Sequence, residues 1–103
     1  MLVGIRASGF VLTPALKEHA ARRLQFALSQ IRGHVRSVVV RLYDASGASC
    51  GNGKGCRIRV QLKEWGEVIT DEIERDHHFA IDRAADRMGR AVLRAASRRD
   101  KAP

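Results

Sequence analysis

The sequence predicts an α+β fold, a two-layer sandwich of order β-α-β-β-β-α in which a four-stranded sheet carries both helices on one face. Two observations predict it. Four short runs alternate apolar and polar residues with the period of a strand, and two longer runs repeat apolar residues at the three- and four-residue spacing of a helix. At 103 residues the chain holds about one core, so residues 1–97 read as one domain and 98–103 as a frayed basic tail.

Val3, Ile5 and Ala7 alternate with Gly4, Arg6 and Ser8, a short first strand. Thr13 then caps a helix whose first position is Pro14, where the missing N–H costs nothing. Leu16, Ala20, Leu24, Ala27, Leu28 and Ile31 form its apolar stripe, and Gly33 is expected to end it. Val38, Val40 and Leu42 mark a second strand, and the segment from Asp44 through Gly55, with four glycines, suggests a flexible connection. A third strand has Ile58, Val60 and Leu62 on one face and Arg57, Arg59, Gln61 and Lys63 on a wet, positive one. Trp65-Gly66 turns the chain into a fourth run, Glu67 to Ile73, with Ile69 and Ile73 expected to point inward. Asp76 caps the last helix, whose apolar face is Ile81, Ala84, Ala85, Met88, Val92 and Ala95.

Nineteen Lys and Arg against eleven Asp and Glu leave a formal charge of +8, which points to a polyanionic partner. No apolar run approaches the ~20 residues that span a bilayer, and the N-terminus lacks the pattern of a signal peptide. A cytoplasmic protein with no membrane partner is the expectation, and in that compartment Cys50 and Cys56 read as free thiols.

The charge is not spread evenly. Arg83, Arg87, Arg90, Arg94 and Arg98 recur at spacings of four, three, four and four, which keeps them in one sector of the last helix, away from its apolar face. An ordinary solvated face mixes signs through i,i+4 pairs, whereas here like charges stack and Asp82 and Asp86 fall on the neighbouring sector. Phosphate accounts for such a stripe, because a guanidinium offers it two parallel donors and each neutralised phosphate releases counterions. On the first helix Lys17, Arg22 and Arg23 flank the stripe, with His19 beside them. Phe26, Phe79 and Trp65 are assigned partly to the core, so contacts to RNA backbone and shape are favoured over base stacking; Phe10 is the one ring expected within reach, with cover for the edge of the core an equal reading.

Other constellations are weaker. Gly51-Asn52-Gly53-Lys54-Gly55 resembles a phosphate loop, but Ala48 and Gly55 stand where the Walker pattern needs Gly and Ser or Thr, and no helix follows. Lys54 remains a possible loop contact to RNA. Cys50, Cys56, His77 and His78 lack the spacing of a zinc knuckle, and His77 near the core with His78 on the surface is the simpler reading. No catalytic triad can be assembled, so neither an enzyme, a metal, a cofactor nor a small-molecule substrate is expected. The double-stranded RNA-binding domain shares part of the element order, but its basic loop opens the last helix, which here opens with Asp76-His77-His78-Phe79.

Val3-x-Ile5, Leu12-Thr13-Pro14-Ala15-Leu16 and Asp76 followed by Ala80-Ile81-Asp82-Arg83-Ala84-Ala85-Asp86-Arg87 together resemble the ribosome hibernation promoting factor and ribosome-associated inhibitor (sigma-54 modulation protein) family. The likeness runs through nearly the whole chain and is most specific in the last helix. It implies a β-α-β-β-β-α fold bound to 16S ribosomal RNA of the small ribosomal subunit, in the cleft where messenger and transfer RNA otherwise sit, so that translation is blocked. It also implies that Lys17, Arg22, Arg23, Arg83, Arg87, Arg90 and Arg94 touch that RNA. His78 stands where the family usually has Tyr, with Phe79 after it, and the Cys50 to Cys56 segment is longer and richer in glycine than in compact members. The length corresponds to a short form without a dimerisation domain, expected to be a monomer when free. Two other functions fit the same residues: a general structured-RNA binder or RNA chaperone, and a regulator that docks an acidic protein on the stripe.

Overall fold

The computed structural model describes residues 2–47 and 51–100, with side-chain placement for 3–45 and 53–98. Its elements are β1 (Leu2–Ser8), α1 (Pro14–Ala27), a 3-10 segment (Ser29–His34), β2 (Val35–Gly47), β3 (Gly51–Leu62), β4 (Gly66–Glu74) and α2 (His77–Asp100). The four strands lie in sequence order, β1 parallel to β2 and the other neighbours antiparallel. Parallel neighbours require a crossover, which α1 and the 3-10 segment supply. The fold is the expected α+β sandwich, with both helices on one face of the sheet.

Register explains which face is covered. Val3, Val38, Val60 and Val68 share one row across the sheet; Ile5, Val40, Ile58 and Thr70 share the next; Ala7, Leu42, Cys56 and Glu72 share a third. The central residues of these rows are buried against Leu16, Ala20, Leu24 and Leu28 from the first helical region and Ile81, Ala84, Ala85, Met88 and Val92 from α2. Thr70 brings a hydroxyl into this core and satisfies it by donating to the Ala84 carbonyl at 3.0 Å, which ties β4 to α2.

Both predicted caps form. Thr13 Oγ1 accepts from the Leu16 N–H at 3.2 Å, and Asp76 Oδ1 accepts from the Phe79 N–H at 2.8 Å. The first helix, however, stops at Ala27 rather than at Gly33. A non-helical Ile31 kinks the following 3-10 turn, which keeps Leu28 and Ile31 buried while delivering the chain to β2. There His34 stacks on Trp65 at 4.3 Å and its carbonyl accepts from the Lys63 N–H at 2.8 Å, which anchors the end of the 3-10 segment to the turn between β3 and β4.

Two more expectations are corrected. Ile69 and Ile73 point away from the helices and are about two-fifths exposed. The turn at Gly66, with φ of +82°, pairs Leu62 with Gly66 and so sets the register that turns Val68, Thr70, Glu72 and Glu74 inward. A slip of one residue would reverse every side chain. Nor is Asp44 to Gly55 a flexible connection: β2 and β3 stay paired to Gly47 and Gly51. The Tyr43 ring lies over Gly55, where any Cβ would overlap it, so this glycine makes room for the ring instead of breaking the strand. Residues 48–50, Cys50 among them, lie outside the described residues. At the other end α2 continues through Arg98 to Asp100, within the stretch expected to fray, and residues 101–103 are again outside.

Candidate nucleic-acid interface

The helices lie side by side over the sheet, and their seam sorts the basic residues. On α1, His19 Nε2 donates to Asp82 Oδ1 of α2 at 2.7 Å, and Arg23 Nε stands 3.2 Å from the same oxygen. The Arg23 Nε contact is an ion pair without hydrogen-bond geometry, which leaves that buried nitrogen unsatisfied as a donor. Gly89 passes close to Ala27, where an added Cβ would lie 3.3 Å from the Ala27 carbonyl oxygen. Arg23 therefore belongs as much to the seam as to the surface. Arg22 is exposed and pairs with Glu18 at 2.8 Å, one turn away. Lys17 lies roughly 160° around α1 from His19, on the flank opposite the seam, and does not join the α2 stripe.

The arginines of α2 are all exposed, but not equally free. Glu72 and Glu74, turned inward on β4, reach its near flank: Arg83 Nε is 3.2 Å from Glu74 and 3.8 Å from Glu72, and an Arg87 terminal nitrogen is 3.1 Å from Glu72. Arg90 pairs with Asp86 at 2.6 Å. Arg94 and Arg98 have no carboxylate partner among the described residues. Like charges do stack along the helix, then, but the adjoining strand supplies the opposite sign for the first part of the stripe. Sequence spacing carries no information about that strand.

Lys54 is half-buried on a paired strand, 3.0 Å from Asp44 across the hairpin, rather than on a free loop. His77 is buried and His78 exposed, as the sequence suggests. His77 Nε2 lies 3.1 Å from the Tyr43 carbonyl, and its ring stacks on Phe10 at 4.3 Å, so Phe10 covers the core edge. Cys56 is buried in the core, where desolvation, assisted by the charge of Asp71, pushes its thiol up to about 12. Among the described residues no three His, Cys, Asp or Glu side chains converge on a common point, and no helix is long and apolar enough to cross a membrane.

Two features are not evident in the sequence. Phe26 is 77% exposed, contrary to its assignment partly to the core, and Phe79 is 49% exposed. Phe26 stands with Leu93, Arg23 and Arg90 around a groove of about 310 Å³ between the helices, whose floor includes Ala27 and Gly89, where the helices approach closely. Rings for base stacking are thus available beside cations. On the opposite broad face, strand register aligns Arg6, Arg41 and Arg57, with Arg59 adjacent on β3. Alternation marks Arg57 and Arg59 as wet, but only strand pairing brings the other two beside them.

Similar proteins agree with this architecture. The chain resembles the crystal structure of the N-terminal domain of Thermus thermophilus Protein Y at 25% identity, with a TM-score of 0.74 over 91% of this chain and 98% of that one. It also resembles the structure of a ribosomal subunit interface protein from Coxiella burnetii, with a TM-score of 0.80 over 94% and 99% of the two chains; at 13% identity this likeness concerns the fold alone. A search of curated protein sequences finds no match. The sequence model of the Sigma 54 modulation protein / S30EA ribosomal protein family matches residues 3–100, almost the entire chain. With that match and the shared β-α-β-β-β-α architecture, the chain belongs to the Sigma 54 modulation protein / S30EA ribosomal protein family, a ribosome-associated family.

Proposed function

We propose that this chain is a translation inhibitor that binds the small ribosomal subunit at the decoding region and excludes messenger and transfer RNA. The observation that carries the reading is the arginine line Arg83, Arg87, Arg90, Arg94 and Arg98 on the exposed face of α2, in a chain of a ribosome-associated family. Arg94 and Arg98 engage phosphates directly, while Arg83, Arg87 and Arg90 exchange carboxylates for phosphates as the surface docks. Arg22 extends the cationic surface along α1, Arg23 supports it from the seam, and Lys17, on the far flank of α1, offers a separate RNA contact. Phe26 and Phe79 add ring faces on which an unpaired base stacks. Membership of a ribosome-associated family supports a ribosomal partner. Binding alone performs this function; no bond is made or broken.

The test is co-sedimentation of the purified protein with salt-washed small subunits, with and without bound messenger and transfer RNA, over a salt series. Stoichiometric binding that those ligands abolish is the expected result. Binding indifferent to them, or equal binding to assorted structured RNAs, replaces occlusion of the decoding region with general RNA binding.

A further inference from the structure

The outer face of the sheet is a second basic surface, on the side of the molecule opposite the helices. Register places Arg6, Arg41 and Arg57 in one row across β1, β2 and β3, so three guanidinium stems rise from a band about 10 Å wide. Arg59 stands in the next row, between Val39 and Ile69. Like charges directly opposed across strands weaken a sheet. Among the described residues, Arg6, Arg41 and Arg57 have no carboxylate within ion-pair distance. Asp71, which ends the row, is held by the Tyr43 hydroxyl at 2.5 Å, and Arg59 leans on Glu67 at 3.4 Å. All four arginines are exposed and none belongs to the core. Arg41 lies over the Tyr43 ring, 5.9 Å from its centroid, but neither this contact nor the Arg59–Glu67 pair offsets the charge of Arg6 and Arg57, so the face calls for an anionic partner.

The chemistry of that partner follows from the side chains. Arg41, Arg57 and Arg59, with Val39, line an open hollow of about 230 Å³. Guanidinium forks match phosphate oxygens, and their planes stack on bases. The Cα framework is a slab of 46 × 29 × 16 Å with arginines on both broad faces. A slab charged on both faces fits between two polyanion segments and is held by each.

We propose that the outer sheet face, through Arg6, Arg41, Arg57 and Arg59, binds a second RNA backbone segment, so that the protein bridges two RNA surfaces. This rests on the reading of the helical face as an RNA-binding surface and assigns the sheet a separate share of the binding.

The experiment compares Arg41→Gln/Arg57→Gln/Arg59→Gln with wild type for binding to salt-washed small subunits and to protein-free 16S ribosomal RNA across a salt series. The expected result is weaker binding to both, by about tenfold or more near 0.1 M salt, with the log–log salt slope lowered by roughly 2. Lysine at the same three positions is expected to keep most of the slope, which separates lost charge from a damaged sheet. Wild-type affinity and slope in the glutamine variant would overturn the proposal. So would a loss confined to whole subunits, because the face would then dock a ribosomal protein. Arg94→Gln/Arg98→Gln, run in parallel, tests the helical reading separately: a silent helix variant beside a weakened sheet variant removes that reading and the bridge with it, and leaves the sheet as an RNA site on its own.

Discussion

The two halves of α2 carry the same sequence signal and meet different surroundings. Arg83, Arg87 and Arg90 each have a carboxylate within 3.2 Å, whereas Arg94 and Arg98 have none among the described residues. The difference comes mostly from β4, whose register turns Glu72 and Glu74 toward the first half of the helix. Periodicity fixes the direction in which a side chain points; the neighbouring strand decides how available its charge is.

The largest expected effect tests this difference directly. Arg94→Gln with Arg98→Gln should lower the salt slope of small-subunit binding by about 1.4 to 1.8 and cost roughly tenfold in affinity. Arg83→Gln with Arg87→Gln should cost less, because those arginines must first leave their carboxylates. Equal losses in the two pairs would erase the distinction. Next in size, Glu72→Gln with Glu74→Gln should free Arg83 and Arg87 and strengthen binding severalfold at low salt, with the gain fading as salt rises. Unchanged binding would mean that the pairs do not compete with RNA.

A third measurement concerns the packing beneath the paired half, where Cys56 lies opposite Glu72. Burial raises its thiol from 9.0 to about 12. A raised folded-state value stabilises the protein below about pH 9, and that contribution is lost as pH climbs toward 12. In a Cys50→Ser background, the melting temperature should fall through this range and Cys56→Val should flatten the fall. Part of the fall should persist above about pH 10, because Tyr43, raised to about 12 by burial and then by its bond to Asp71, titrates in the same direction. Parallel pH curves for parent and variant would mean that the thiol is not held in the core. The smallest effect is expected from Asp86→Asn, which removes the exposed partner of Arg90. It should cost about 0.2–0.5 kcal/mol, or roughly 1 to 3 °C in Tm, while Arg90 comes to resemble Arg94 in its contribution to the salt slope.

Much of the fold was legible in the sequence because its signals are local. Thr13 and Asp76 cap the helices they precede, Trp65-Gly66 makes its turn, and the apolar stripe of α2 is its buried face. Local signals mislead where a distant residue governs. Gly33 looks like a helix terminator, but α1 already ends at Ala27, and the chain reaches Gly33 in a 3-10 segment whose end is anchored by His34 on Trp65. The glycines from Gly47 to Gly55 look like breakers, but the Tyr43 ring uses the space that Gly55 leaves. Ile69 and Ile73 are apolar enough for a core, but the register set at Gly66 turns them outward.

The candidate site divides in the same way. The sequence by itself determined the α+β class, the exposed arginine line of α2 and the excess of positive charge, because caps, periodicity and composition act within a few residues of chain. Only the tertiary structure decided that Glu72 and Glu74 occupy the first half of that line, that Lys17 stands apart from it and Arg23 in the seam, and that four arginines gather on the outer sheet face. Each of these depends on strand register or helix docking, which bring together residues far apart in the chain.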